Sequence, residues 1–173
     1  FGRYIGREGS KWITTSSIFV TFLMSCVAFY EVALAGSPCY FEVMTWIDSE
    51  MFSTSWGFLF DSLTVVMLVV VTCVSTLVHL YSTEYMKGDS RYSRYFAFLG
   101  IFIFSMNGIV ISDSLIMMYI FWELVGLSSF LLIGFWFEKK EPPLAANKAF
   151  LTNRVGDIGM FIGIMILFFN VGS

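Results

Sequence analysis

The chain has 173 residues, of which 57% are hydrophobic and only 13% are charged. A soluble domain carries about a quarter of charged residues, so this composition predicts a membrane protein. The net charge of −3 excludes the basic surface that nucleic-acid-binding proteins present, and we expect no nucleic-acid partner.

Five apolar segments are each long enough to cross a hydrocarbon core, which takes about 20 helical residues. They lie at residues 14–36, 60–82, 95–112, 114–137 and 147–170. We expect a basic segment at 1–13, an acidic hairpin or loop at 37–59, and basic loops at 83–94 and 138–146. The sequence therefore predicts an all-α polytopic membrane protein with about five transmembrane helices.

The connection from Pro38 to Trp56 differs from the other connections. It interleaves aromatic and β-branched residues with the acids Glu42, Asp48 and Glu50. This pattern favours a short hairpin lying at the membrane surface, with Trp46 and Trp56 at headgroup level. A loop without strands is the alternative.

The ten Lys and Arg residues alternate from one connection to the next. They are Arg3, Arg7, Lys11, Lys87, Arg91, Arg94, Lys139, Lys140, Lys148 and Arg154. None lies between Pro38 and Trp56, and none lies in the short turn at Asp113. Basic connections stay on the inner side of a membrane. We therefore expect the amino-terminal segment and both basic loops inside, and the acidic hairpin and the Asp113 turn outside.

Glu123 is the ionisable residue placed deepest in an apolar segment. At 1.5 Å per residue it lies roughly 14 Å into a helix that starts at Ser114. A carboxyl group at that depth is expensive unless it is protonated or has a cationic or polar partner. Glu123 is therefore a candidate for proton transfer. The alternative is a structural Glu that joins two helices by a hydrogen bond.

Arg154 and Asp157 form a second candidate set near the start of the last segment. They are three residues apart, so on a helix they share a face and can pair with each other. A self-contained ion pair near the interface is the structural alternative to a role in proton transfer.

Three further ionisable residues lie near the ends of predicted spans. His79 is either a proton relay or an interfacial polar residue. Lys148 either extends its ammonium group to the headgroups or belongs to a charged path towards Arg154 and Asp157. Glu31 is expected at a solvated interface.

The sequence offers little to hold a redox centre or a metal. Cys26, Cys39 and Cys73 form no CxxC pair, and the chain has one histidine. We therefore expect no disulfide framework, no metal site and no cofactor bound by this chain.

Two ordered motifs resemble chain 5 of respiratory NADH:ubiquinone oxidoreductase (complex I), of the mitochondrial type. They are WELVGLSSFLLIG at 122–134 and NRVGDIG at 153–159, similar to the fifth and sixth helices of that family. Shorter matches are WGFLFDSLT at 56–64, HLYS at 79–82 and FYEVAL at 29–34. Leu124 departs from the family, where many members have Gly.

The resemblance implies an antiporter-like fold and a proton-translocating subunit in the membrane arm of complex I. It implies proton-transfer roles for Glu123, His79, Lys148, Arg154 and Asp157, with Glu123 in a Glu–Lys pair whose lysine lies beyond Ser173. The chain would then be an amino-terminal portion of the polypeptide, holding its helices two to six.

The resemblance also implies the surroundings of the chain. NADH, FMN, iron–sulfur clusters and ubiquinone would be bound by other subunits. The expected partners are other membrane-arm subunits, especially the antiporter-like subunit 4, the remainder of subunit 5, and lipids of the mitochondrial inner membrane. Two alternatives stay open: the large subunit of a multisubunit sodium/proton antiporter, which shares both motifs, and a structural membrane scaffold that has lost pumping.

Overall fold

The computed structural model describes residues 2–49 and 52–171, and consists of five helices and one β-hairpin in that part of the chain. The helices are α1 (Gly2–Phe29, followed by a π-helical turn at Tyr30–Leu34), α2 (Ser62–Tyr85), α3 (Tyr92–Ile111), α4 (Leu115–Ile133) and α5 (Glu141–Val171). The strands are β1 (Cys39–Ser49) and β2 (Phe52–Phe60). Phe1, Glu50 of the predicted acidic hairpin and the side chain of Arg3 lie outside what the structure describes.

Several helix ends differ from the expected bounds, each for a local reason. α1 is interrupted at Gly6, whose φ of 74° is not helical, and its long part follows directly, so Arg7 and Lys11 of the amino-terminal segment are helical. α4 ends at Ile133 because Gly134 follows as its cap. α5 begins at Glu141, since prolines are tolerated in the first turn of a helix.

All five helices are long and apolar enough to cross a membrane within the described ranges. Their outward faces carry exposed apolar side chains, for example Leu63 at 71% exposure, Leu77 at 62% and Phe104 at 62%. Soluble monomers rarely expose apolar surface on this scale. The composition, the lengths and the outward faces together define an integral membrane protein.

The helices pack as neighbours in a simple order. α1 contacts α2 and α3, α3 also contacts α2 and α4, and α4 contacts α5. α3 and α4 form an antiparallel hairpin, in which Gly108 lets the two helices approach closely. A Cβ at that position would lie 2.4 Å from the ring of Phe121.

Buried hydroxyl groups in these spans are satisfied by their own helix. Thr72, Thr76 and Ser105 each donate to the carbonyl four residues earlier, at 2.6, 2.7 and 2.7 Å. This bonding removes the cost of an unpaired hydroxyl in an apolar setting.

The β-hairpin and the Asp113 turn lie together at one end of the bundle, called here the hairpin end. Tyr40 donates its hydroxyl to Asp113 at 3.1 Å, and Phe58 forms a β-bridge with Ser112. Gly57 is needed at this contact, because a Cβ there would lie 2.9 Å from the Asp113 carboxylate. Of the two alternatives for this connection, the hairpin is the one that forms. It is longer than the short hairpin expected, with strands of 11 and 9 residues.

The basic connections meet at the opposite end, called here the basic end. Arg7 donates to the carbonyl of Asp89, and Trp136 donates its indole N–H to the Asp89 carboxylate at 3.0 Å. Arg91 lies 3.6 Å from Glu138. The start of α1, the α2–α3 loop and the α4–α5 loop are therefore held together on one side of the bundle.

Candidate functional site

The site forms where the middle of α4 faces the first half of α5. Glu123 is the ninth residue of α4, which places it about 12 Å along the helix. One carboxylate oxygen accepts from the hydroxyl of Tyr119 at 2.8 Å, and the other accepts from the guanidinium of Arg154. The Glu123 side chain is 22% exposed and that of Arg154 is 42% exposed. Glu123 is thus paired with a cation and hydrogen-bonded on both oxygens inside an apolar span.

Asp157 takes its partner from α4 as well. Its carboxylate is 5% exposed and accepts the indole N–H of Trp122 at 2.9 Å. The expected ion pair between Arg154 and Asp157 within α5 is not the arrangement observed. Arg154 pairs with Glu123 because α4 packs against α5 and brings this carboxylate within reach. Asp157 instead accepts its hydrogen bond from the indole of Trp122.

Arg154 has a second contact that steadies its guanidinium. The group lies 5.0 Å from the ring centroid of Phe150, one turn earlier on α5. A cation over an aromatic face is stabilised by the ring quadrupole. Tyr119 packs likewise against Phe161, with ring centroids 5.6 Å apart. The donors of Glu123 are therefore both fixed by aromatic contacts from α5.

A cavity of about 540 Å³ adjoins this site. Trp122, Asn153 and Asp157 supply its polar wall, and Met67, Met106 and Met160 line the apolar side. Methionine fills irregular apolar gaps and adapts its shape. The second carboxylate of the site thus faces open space between α2, α3, α4 and α5.

His79 lies elsewhere in the bundle. Its ring is 1% exposed, packs near Phe96 at 5.9 Å between centroids, and makes its hydrogen bond to the carbonyl of Ser75 at 3.0 Å. No hydrogen bond or ring contact in the described residues joins His79 to Glu123, Arg154 or Asp157. The structure therefore places His79 in a different part of the protein from the other candidates.

Lys148 and Glu31 also lie apart from the site. Lys148 is exposed on α5, and its ammonium group forms no ion pair within residues 2–49 and 52–171. Lys148 lies six positions before Arg154, so the two side chains point about 120° apart around the helix. Glu31 is exposed in the π-helical turn.

Two partners at the site did not stand out in the sequence. Tyr119 precedes Glu123 by four residues, the spacing that puts two side chains on one face of a helix. That spacing was the available signal for Tyr119. Trp122 carries no such signal, since its contact with Asp157 depends on how α4 and α5 pack.

The described residues contain no group of three or more His, Cys, Asp or Glu side chains arranged to hold a metal ion. Cys26, Cys39 and Cys73 are free thiols.

Comparison with known proteins gives two family matches and several close relatives. The model described as "NADH-Ubiquinone oxidoreductase (complex I), chain 5 N-terminus" matches residues 46–96. The model described as "NADH:quinone oxidoreductase/Mrp antiporter, TM" matches residues 112–173. NADH-ubiquinone oxidoreductase chain 5 of Arabidopsis thaliana is 52% identical over 165 residues, which cover 95% of this chain and 25% of the relative. The Rhizopus stolonifer protein of the same name is 51% identical over 172 residues, covering 99% of this chain and 26% of the relative.

Solved structures share the fold at low sequence identity. One is a chain of the membrane-bound sulfane sulfur reductase, an archaeal respiratory membrane complex, with a TM-score of 0.79 at 15% identity. The match covers 97% of this chain and 32% of that one. Another is a chain of the Mrp complex of Dietzia sp., with a TM-score of 0.77 at 20% identity, covering 99% of this chain and 18% of that one.

The bundle and its intramembrane charge pair define an antiporter-like membrane subunit. The chain spans about a quarter of the length of the curated relatives that it matches. It belongs to the family of NADH-ubiquinone oxidoreductase chain 5, of the mitochondrial type, and corresponds to the amino-terminal portion.

Proposed function

We propose that this chain is part of a proton-translocating, antiporter-like subunit in the membrane arm of respiratory complex I. The observation that carries the proposal is Glu123, held in the middle of a span between the guanidinium of Arg154 and the hydroxyl of Tyr119. A carboxyl group in such a place can be charged while a cation is near and neutral when the cation moves away. The pair can therefore take up and release one proton as the charge beside it moves.

The neighbouring carboxylate offers Arg154 a second position. Asp157 lies one turn further along α5, within reach of the same side chain. When Arg154 pairs with Glu123, that carboxylate is held in its charged form. When Arg154 turns to Asp157, Glu123 loses its cation and binds a proton. Quinone reduction elsewhere in the complex would drive this exchange through charge rearrangements that reach the site.

We propose roles in proton transfer for four further residues, each on different grounds. Arg154 and Asp157 take part in the exchange directly. His79 is proposed to hold a proton at a separate place in the bundle. Lys148, exposed and away from the pair, would act only as an entry point from the surface. The lysine of the family's Glu–Lys pair would approach Glu123 from a later helix.

We propose that this chain carries no redox chemistry itself, since a single histidine and no closely spaced cysteines leave little to ligate a redox centre. NADH, FMN, iron–sulfur clusters and ubiquinone would be bound by other subunits. The partners would be the rest of chain 5, neighbouring membrane-arm subunits, especially antiporter-like subunit 4, and lipids. The location would be the mitochondrial inner membrane, with the basic end on the inner side.

The test is Glu123→Gln in the intact complex. We expect electron transfer from NADH to quinone to continue while the number of protons moved per electron falls. Glu141→Gln is the matched control, because Glu141 is an exposed glutamate at the start of α5, outside the pair. Unchanged proton movement in Glu123→Gln, with unchanged electron transfer, would exclude the proposed role.

A sodium/proton antiporter subunit remains the second candidate function, because one family model and one solved structure are shared with Mrp antiporters. The relatives at about half identity are chain 5 proteins and favour complex I. Electron-transfer subunits that co-purify with this chain would exclude the antiporter. A pumping-inactive scaffold would be indicated if Glu123→Gln changed nothing in an assembled complex.

A further inference from the structure

A groove of about 280 Å³ opens at the basic end between the start of α3, the end of α4 and the start of α5, and is called here the basic-end groove. Arg94 and Asn147 are its polar members. Its apolar walls include Phe98, Phe130, Leu131, Phe135, Phe137 and Pro143. α4 and α5 close one side of the groove at Gly134, where a Cβ would lie 3.3 Å from the Cβ of Ala146.

The groove is charged at its outer end and apolar towards the middle of the membrane. Phe98 packs against Phe135 of α4, with ring centroids 6.5 Å apart. Arg94 lies one helical turn before Phe98, which puts it about 6 Å nearer the end of the bundle. Phe130 lies three residues before the end of α4 and packs against Phe150 of α5, with centroids 5.3 Å apart. A cation therefore lies at headgroup level, and aromatic rings follow at the depth of acyl chains.

The positive charge at the mouth of the groove is not compensated by the chain itself. The Arg94 guanidinium is exposed and has no ion pair within residues 2–49 and 52–171. Arg91, three residues earlier, is held differently, because it lies over the ring of Phe137 at 4.6 Å and 3.6 Å from Glu138. Glu141, the other acid of the α4–α5 connection, does not line the groove. Arg94 is thus available to an anion from outside the chain.

We propose that the basic-end groove binds one anionic phospholipid of the inner leaflet. The phosphate pairs with Arg94, and a segment of one acyl chain lies against Phe98 and Phe130. Basic pockets between spanning helices on the inner side of a membrane suit such a headgroup, because the charge attracts the lipid and a guanidinium binds phosphate through two parallel N–H groups. Aromatic side chains offer the acyl chain a large apolar surface. The site depends on the membrane class of the chain and not on the role of Glu123.

Two pairs of variants separate the groove from the general attraction of a basic surface. Arg94→Gln removes the cation of the groove, and Lys140→Gln removes an exposed cation of the same end that does not line it. Leu131→Trp places a larger side chain in the groove. Leu127→Trp makes the same change one turn earlier on α4, where the side chain is 45% exposed and outside the groove.

The experiment uses the assembled complex, freed of its own lipid and reconstituted into phosphatidylcholine vesicles. The vesicles contain a minor fraction of phosphatidylglycerol with a diazirine on its acyl chain, which labels neighbouring side chains when it is illuminated. Mass spectrometry of peptides from this subunit gives the labelling of the groove wall, divided by that of Val74 and Leu77 on the outward face of α2. A second preparation carries the same diazirine chain on phosphatidylcholine, which has a phosphate but no net charge.

We expect the labelling ratio in the wild type to be several-fold higher with the anionic lipid than with phosphatidylcholine. Arg94→Gln should lower the ratio for the anionic lipid about fivefold, which is the contribution of one basic residue beside an anionic surface, while Arg94→Lys and Lys140→Gln preserve most of it. Leu131→Trp should remove most of the labelling of the groove, and Leu127→Trp should leave it in place.

Equal ratios for the two lipids in the wild type overturn the proposal, and this comparison needs no variant to assemble. A groove that neither lipid labels is covered by another protein, which also overturns it. Equal losses in Arg94→Gln and Lys140→Gln reduce the effect to general surface charge and overturn the assignment to this groove. Proton pumping is not the readout, so failure here is distinguishable from failure of the proposed function.

Discussion

Two tryptophan–aspartate hydrogen bonds of nearly equal length lie in very different surroundings. At the basic end Trp136 donates to Asp89 at 3.0 Å, and in the span Trp122 donates to Asp157 at 2.9 Å. Asp89 is partly exposed and also accepts the backbone N–H of Arg91 at 2.8 Å. Asp157 is 5% exposed and lies inside a membrane span.

The surroundings of the two hydrogen bonds determine what the loss of the tryptophan donor would cost. At the basic end water can replace a lost donor, so the bond joins the α4–α5 loop to the α2–α3 loop and does little more. In the span Asp157 is buried, and the loss of its donor leaves a carboxylate without a hydrogen-bond partner, which is costly. We therefore expect the Trp122 bond to favour the pairing of Arg154 with Glu123 over its pairing with Asp157.

The largest expected effect comes from removing the Arg154 guanidinium, which pairs with Glu123 inside the membrane span. Arg154→Gln leaves Glu123 with Tyr119 alone, which favours the neutral carboxyl group and ends its exchange of a proton. A hydrogen bond to a charged group contributes about 1.5–3 kcal/mol, so we expect proton translocation to fall about tenfold or more. The ratio of protons moved to electrons transferred, measured in the intact complex, checks this. Arg154→Lys should recover part of the activity, and full pumping in Arg154→Gln would contradict the exchange.

A smaller effect is expected from the two tryptophans, and it tests the comparison directly. Trp122→Phe removes the hydrogen-bond donor of Asp157 and keeps an aromatic ring. Arg154 should then pair with Glu123 in some molecules and with Asp157 in others, and we expect pumping to fall several-fold. Trp136→Phe removes the matching donor at the basic end, where solvation limits the loss to about 1 kcal/mol. Pumping and thermal stability of the assembled complex separate the two outcomes. Equal effects of both substitutions would show that the surroundings do not matter.

The smallest expected effect is the pH dependence of the basic-end contact. The Arg91 backbone N–H, followed by the Trp136 indole, holds the pKa of Asp89 below its ordinary value of 3.8. A lowered pKa in the folded state means that the contribution to stability is full above the unfolded pKa, and is lost as the pH falls through the folded pKa. The difference in thermal stability between the wild type and Asp89→Asn should therefore be full above about pH 5, and should shrink as the pH falls below 3.8 through the lowered pKa of Asp89. A constant difference down to pH 3 would contradict this assignment.

Much of the fold could be predicted because a membrane imposes strong rules on sequence. Apolar segments of about 20 residues have to be helices, and the alternation of basic connections orders them. Helix ends were harder, since Pro142 and Pro143 look like a loop but are tolerated in the first turn of α5. The hairpin was one of two alternatives, and its choice depends on contacts with the Asp113 turn.

The site was predictable in its members and not in its pairing. Glu123, Arg154 and Asp157 stood out because ionisable residues inside spans are rare. Spacing along α5 favoured a pair between Arg154 and Asp157, and the packing of α4 against α5 replaced it with two separate contacts.

The sequence by itself determined the membrane class, the number of spans, the alternation of basic and acidic connections, and the family. Each of these depends on composition, period or local motif, which are properties of short stretches of chain. Only the tertiary structure decided that Arg154 reaches Glu123, that Trp122 donates to Asp157, and that His79 packs near Phe96 of α3. These contacts join residues on different helices, and the relative rotation of two packed helices is set by many side chains at once.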